Sequence, residues 1–339
     1  MKWRILFLMG VLVILIGCEK PDGVSFEKSQ SGVTINGSLQ EDGIYKLPVV
    51  FQILYGNAAN SKQNAYSGRI YQILEGCNKY YKDMGIPVQL IPAYEDPGGR
   101  KLIEPGINRI QTESPVRDSK KFMSENNAVN VALIWDVDRY INVLLYTFSN
   151  SNVIGVAHLP YATSSHPLEG LTTLSYTPHY ANLKYPYCIS LNNDYINSTN
   201  HNLYDNNTLE NTLAHELGHY LGLYHVFWGE DDTYIKDKDP DYCKDTPYYI
   251  RTEYEKERFS WVSWGGMEQL LTRRDCEGNI FISDNIMDYG YGYLNKFTKN
   301  QRERIEHVLQ YSPLMPLARI DVTKSFPATL QDLPIRYMP

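Results

Sequence analysis

The chain of 339 residues reads as an α/β (α+β) protein, with a mixed sheet and packed helices followed by a less regular region. Three observations carry this reading. Between residues 46 and 225, apolar segments of strand length are interspersed with helical repeats. The last of those repeats, about 207–221, sets several histidines on one side and leucines on the other. Beyond it, residues 226–312 show little periodicity until a capped segment near 298–311.

The elements follow in order. Lys2 and Arg4 precede an apolar run from Ile5 to Ile16, too short to span a bilayer as a mature helix. The run ends in Leu15-Ile16-Gly17-Cys18, which resembles a bacterial lipoprotein box. Residues 1–17 are thus expected to be a removed signal peptide, and Cys18 a lipidated residue anchoring the chain durably to a membrane. Residues 18–45 are polar and read as a tether. They contain no cysteine after Cys18, so no thiolate from there can mask a metal.

The globular part begins near Lys46. Leu47 to Tyr55 reads as a strand. Tyr66, Ile70, Ile73, Leu74, Cys77 and Tyr81 mark one face of a helix over about 65–83. Val88 to Pro92 and Ile141 to Phe148 are further strands, the latter buried on both faces. Val153 to Leu159 and Tyr187 to Leu191 are strand candidates. Asn207 with Glu210 suggests the N-cap of the next helix, and Thr298 with Gln301 makes a capping box for the last one. The tail 313–339 carries five of the 18 prolines and is expected to lie over the surface. The organisation is then 46–225, 226–312 and 313–339, with a cleft between the first two.

The helix at 207–221 opens on the chemistry. His215-Glu216-Leu217-Gly218-His219-Tyr220-Leu221-Gly222-Leu223-Tyr224-His225 has the form H-E-x-x-H-x-x-G-x-x-H. Residues four apart share a helix face, so His215 and His219 can bind one zinc ion. Gly222 lets the chain leave the helix through a left-handed turn and bring back His225 as third ligand. Three protein ligands leave one position open, the mark of a catalytic site. Glu216, offset around the axis, is placed to move protons. H-E-x-x-H alone arises by chance in roughly one chain of this composition in a hundred. The added Gly222 and His225 make chance a poor explanation.

With those residues in view, the chain resembles the metzincin zinc peptidases, and within them the pappalysins. The resemblance covers about residues 46 to 312. It rests on the zinc motif, on Lys244-Asp245-Thr246-Pro247, on Asn285-Ile286-Met287-Asp288-Tyr289, and on Phe297 to Gln301. Upstream, Trp135-Asp136, Arg139 to Val143 and Gly155-Val156-Ala157-His158-Leu159-Pro160 also match; the last looks like the edge strand lining the substrate cleft. The resemblance implies a metzincin-like fold with an upper subdomain carrying the zinc helix. Its lower subdomain would hold the methionine turn (Met-turn) and a C-terminal helix. It further implies Met287 as a floor under the histidines, Tyr289 as a group stabilising the transition state, and structural calcium, for which Asp245 and Glu230-Asp231-Asp232 are candidate ligands. A Cys243–Cys276 disulfide is also implied. Cys77 and Cys188 remain, bonded or reduced; Cys77 sits on an apolar helix face where a reduced cysteine is common.

The expected function is a zinc-dependent endopeptidase with Glu216 as general base and acid. The competing reading is a non-catalytic surface lipoprotein that keeps the scaffold for binding. A net charge of −7 without a basic cluster argues against nucleic acid. The partners are a protein or peptide substrate and, through the lipid, a membrane of the bacterial envelope; a monomer is expected. Family members often favour a basic residue after the cleaved bond, read by an acid shortly past the Met-turn. Gly290-Tyr291-Gly292-Tyr293-Leu294 has none, which puts that preference in doubt; Asp288 sits inside the turn. Tyr291 and Tyr293 suit either an aromatic pocket or packing.

Overall fold

A computed structural model describes residues 38–39, 42–176, 178–198, 207–229, 239–264, 266–316 and 333–338. The expected leader, Cys18 and the run Glu230–Asp232 lie outside them. The described residues form one compact unit.

In chain order the elements are β1 (Tyr45–Tyr55), α1 (Ser67–Asp83), β2 (Val88–Pro92), β3 (Ile107–Gln111), α2 (Ser119–Ser124) and β4 (Ile141–Phe148). Then come β5 (Gly155–His158), β6 (Tyr161–Thr163), β7 (Thr172–Leu174), β8 (Ile189–Asn192) and α3 (Leu209–Tyr220). The second half holds β9 (Phe227–Trp228), β10 (Tyr249–Ile250), α4 (Arg251–Trp264), β11 (Thr272–Arg274), β12 (Ile280–Ile282), α5 (Lys299–Tyr311) and β13 (Tyr337–Met338). The α/β expectation and its mixed sheet are borne out. The main sheet runs β1-β4-β8-β5-β13, with β2 and β3 also paired to β1. β1, β4 and β8 are mutually parallel, and β5 reverses direction against β8.

The sheet is buried on both faces, which explains the unbroken apolar run in β4. Ile141, Val143 and Leu145 join the main core with α1 and α3, while Leu144, Tyr146 and Phe148 pack on the other side against Phe122 and Met123. This alternation is the period of two of a strand. α1 presents Ile70, Ile73, Leu74, Cys77 and Tyr81 to the core, as its spacing predicts, whereas Tyr66, expected on the same face, is the residue before the helix and is exposed.

Four expectations are corrected. The N-cap of α3 is Thr208, not Asn207; its side chain accepts a hydrogen bond from Asn211 N at 3.3 Å. The region after α3 holds a 14-residue helix, α4. The tail is not only a cover, because Tyr337–Met338 extend the main sheet and Leu333 is buried. At the other end, Ser38–Leu39 of the expected tether pair with β1.

The cysteine expectations also change. No disulfide is formed among the described residues. Cys77 lies in the core under α1, whereas Cys188 lies in the apolar layer on the opposite sheet face, 3.4 Å from Met123 Sδ. A disulfide needs Cα atoms within about 7 Å, and the sheet stands between these two. Cys243 is buried, and Cys276 is exposed on the turn joining β11 to β12.

Candidate metal centre

The helix that carries the site is held by its neighbours rather than by propensity. Thr208 caps it, and Glu210 forms a two-pronged ion pair with Arg69 of α1. Gly76 makes room: a Cβ there would lie 2.4 Å from Glu210 Cγ. Tyr81 donates its hydroxyl proton to Ala214 O at 3.1 Å, which fixes the helix axially just before the first histidine.

His215 and His219 project from one face, and the chain then leaves the helix at Gly222 with φ +91°, the left-handed turn that its glycine predicts. That turn is clamped by α5. Arg304 donates to Gly222 O from Nε (3.2 Å) and Nη2 (3.0 Å), and Val308 fills the space where a Cβ would sit. His225 thereby returns to the first two histidines. The three Nε2 atoms lie 3.0, 3.0 and 3.3 Å apart.

Imidazole nitrogens bound at about 2.0–2.1 Å in a tetrahedral arrangement stand about 3.3 Å apart, so the triad fits a zinc ion. Among the described residues it is the one cluster of metal-ligating side chains. Its hydrogen bonds select the right tautomers. His215 Nδ1 donates to Ile286 O at 2.7 Å and His219 Nδ1 to Leu223 O at 2.9 Å, which leaves each Nε2 lone pair for a metal. Burial lowers the pKa of His215 to about 4 and pushes His219 and His225 well down, so the imidazoles are neutral.

Glu216 is 3 % exposed, and its Oε2 has no hydrogen-bond partner among the described residues. Burial alone raises its pKa well above the usual carboxylate range. β5 passes directly over it: a Cβ on Gly155 would lie 2.6 Å from Glu216 Oε1. A buried acid with an unpartnered oxygen beside three convergent imidazoles suits proton transfer at a metal.

The Met-turn closes the site from below. Met287 is fully buried, and its Sδ takes the space a Cβ on Gly218 would need, at 2.6 Å. Met287 N donates to Asn285 Oδ1 at 2.9 Å, and Asn285 exchanges hydrogen bonds with Gln301 of the α5 capping box. The turn therefore supports the site both apolarly, through Met287, and electrostatically, through the Ile286 carbonyl on His215.

Tyr289 packs on both His225 (4.5 Å between ring centroids) and His215 (5.3 Å). Burial, with Glu216 nearby, raises its phenol above the ordinary value, so it stays a proton donor. Asp288 is buried in a polar cluster of its own. It accepts from Tyr249 at 2.6 Å and from Ser283, and it pairs with Arg273 at 3.2 Å. Arg273 is buried with it and also donates to Tyr289 O (3.0 Å) and Tyr291 O (2.9 Å). Asp245, a candidate calcium ligand, accepts from Asn300 N at the start of α5 at 3.0 Å.

The spacing of residues did not signal two basic groups near the site. One is Arg273, which comes from a short strand. The other is Arg251 at the start of α4, whose Cζ lies 4.5 Å from the Tyr289 ring and 5.2 Å from the Phe227 ring. Phe227 in turn stacks on His225 at 4.7 Å. The only available signal was composition, a cationic residue among aromatics.

A family model described as Pregnancy-associated plasma protein-A, a peptidase family, matches residues 124–310, more than half of the chain. No curated protein matches significantly. Among solved structures the chain is similar to Tannerella forsythia mature mirolysin in complex with a cleaved peptide. The identity is 19%, the match covers 79% of this chain and 92% of that one, and the TM-score is 0.54. Mirolysin in complex with a compound matches at 18% identity over 78% and 92% of the two chains, TM-score 0.50. A Tannerella forsythia promirolysin mutant matches at 19% over 78% and 80%, TM-score 0.53. At these identities the solved structures speak for the fold.

Proposed function

Since the chain belongs to the pregnancy-associated plasma protein-A family of peptidases, pappalysin-like metzincin metallopeptidases, we propose that it is a zinc endopeptidase using His215, His219, His225, Glu216 and Tyr289. The observation that carries this is the convergence of three Nε2 atoms within 3.0–3.3 Å beside the buried carboxyl of Glu216, whose Oε2 has no partner among the described residues.

Zinc, held by the three imidazoles, supplies Lewis acidity and a nucleophile at neutral pH. The chain's own residues do the rest. Glu216 takes the proton of the attacking water and later delivers it to the leaving amine. Its raised pKa suits it to hold that proton between the two steps. The Tyr289 phenol donates a hydrogen bond to the developing oxyanion. Met287 and the Ile286 carbonyl keep the ligands in register. The sequence around Cys18 supports an envelope lipoprotein; incorporation of labelled palmitate that is lost in Cys18→Ala tests it.

The catalytic reading is tested with soluble protein from residue 19, wild type beside Glu216→Ala. Zinc content and cleavage of a proteome-derived peptide library are measured. The expected result is one zinc in both, with turnover lowered by about 10²–10⁴ in the variant. Tyr289→Phe is expected to lose about 10² in kcat with less change in KM. Equal cleavage by wild type and Glu216→Ala would overturn the assignment.

A further inference from the structure

β5 is the strand that passes over Glu216, and it has two edges. One pairs antiparallel with β8. The other is taken by β13, also antiparallel, with Tyr337 opposite His158 and Met338 opposite Ala157. Leu159 N donates to Arg336 O at 3.0 Å, which continues the ladder. Because β5 starts at Gly155 against Glu216, β13 runs towards the catalytic carboxyl. Its partner Ala157 is two residues, or about 7 Å, from Gly155.

The segment is fastened lightly. Leu333 is buried, but Pro334 and Arg336 are exposed and Tyr337 and Met338 are half-buried. Tyr161 donates its hydroxyl proton to Pro334 O at 2.9 Å. Arg336 donates to Gly170 O and lies 5.6 Å over the ring of Tyr224, the neighbour of His225. A two-residue pairing with one buried apolar anchor belongs to the low-stability end of a fold, where local opening is easy.

A strand edge offers one row of N–H and C=O groups, and an extended peptide adds to a sheet by using that row. Two strands cannot hold it together. We propose that the chain's own segment 333–338 is an autoinhibitory strand: it fills the outer edge of β5, the edge that the resemblance assigns to the substrate, and shuts out an extended polypeptide. The segment lies in the substrate's place and must leave before a peptide can pair along β5. The competing peptide substrate rests on the peptidase reading, whereas the place of 333–338 on β5 rests on the observed pairing alone.

The test uses the chain from residue 19 with Met338→Pro, which removes the backbone donor that lies opposite Ala157 without touching the site. Hydrogen exchange is followed at Val156, Ala157, His158 and Leu159 and along α3. The probe is the synthetic hexapeptide of residues 333–338. The expected result is faster exchange at the outward-facing β5 amides with α3 unchanged, reversed by the hexapeptide. If the segment is closed for about 70–90 % of the time, its release raises kcat/KM about three- to tenfold through KM. The hexapeptide then inhibits the variant competitively. Released β5 amides with unchanged kcat/KM overturn the proposal. Loss of protection across the whole sheet with a lowered Tm overturns it too, since 333–338 would then be a structural strand. If no peptide is cleaved by any form while the hexapeptide still protects β5, the peptidase reading falls and the pairing of 333–338 with β5 stands.

Discussion

The helix above the metal centre and the turn below it are both buried, yet different forces hold them. α3 is embedded among Leu47, Ile73, Leu74, Ile189 and Leu191, and its leucines reach the core at helical spacing. The turn Asn285–Asp288 has one large apolar side chain pointing at the site, Met287. It is otherwise fixed by Asn285 with Gln301 and by the buried pair of Arg273 with Asp288. Apolar burial is tolerant of small shifts, whereas a buried charge pair holds only while both partners and their donors stay in place. A metal site roofed by the first and floored by the second should fail differently from each side.

The largest effect is expected from the floor. Arg273→Met leaves Asp288 buried without its counter-charge, and about 3–5 kcal/mol of stability should be lost by urea titration. Arg273→Met with Asp288→Leu should recover part of it, and a single variant losing under about 1 kcal/mol would break the comparison. Next comes a pH effect from the roof side. His158, buried beside β8, is lowered by desolvation from 6.5 to about 4. Between those values the unfolded chain binds more protons, so stability falls as pH is lowered, by about 3 kcal/mol in all.

Asp138, raised by burial to about 6, acts in the opposite sense over the lower part of that range. It is common to wild type and His158→Gln, so the difference between their pH–stability curves isolates the histidine; parallel curves would sink the claim. The contact between roof and floor is tested by Gly218→Ala, whose Cβ meets Met287 Sδ. It should cost about 1–3 kcal/mol and weaken zinc binding, with relief in the Gly218→Ala, Met287→Ala double variant. The smallest effect is Thr208→Ala, about 1 kcal/mol for the lost cap, with the zinc affinity unchanged.

The same contrast explains what could be read from residue order. α1, β2, β4, α5 and the histidine helix follow from apolar periodicity and capping residues, and the left-handed turn follows from Gly222. α4 did not, because its apolar residues are split between two faces: Tyr254 packs on Trp261 while Phe259 and Val262 are exposed. Arg273 was invisible because its role depends on a partner 15 positions away in a turn, with no periodicity linking them. The carbonyl of Ile286 carries no side-chain signal at all. Thr208 and Asn207 are adjacent residues of equal capping chemistry, and only tertiary packing chooses between them. The pairing of 333–338 with β5 joins segments too far apart in sequence for any local pattern.

The clamp of Arg304 on the Gly222 carbonyl spans 82 positions. During synthesis at about 5–20 residues per second, all three histidines leave the ribosome roughly 4–16 s before the residues that bend His225 into place. A nascent or C-terminally broken chain thus carries two ligands on a helix and a third that is not yet aimed. The third ligand is therefore aimed only once α5 has been made, so an intact C-terminal helix is a condition for a complete triad.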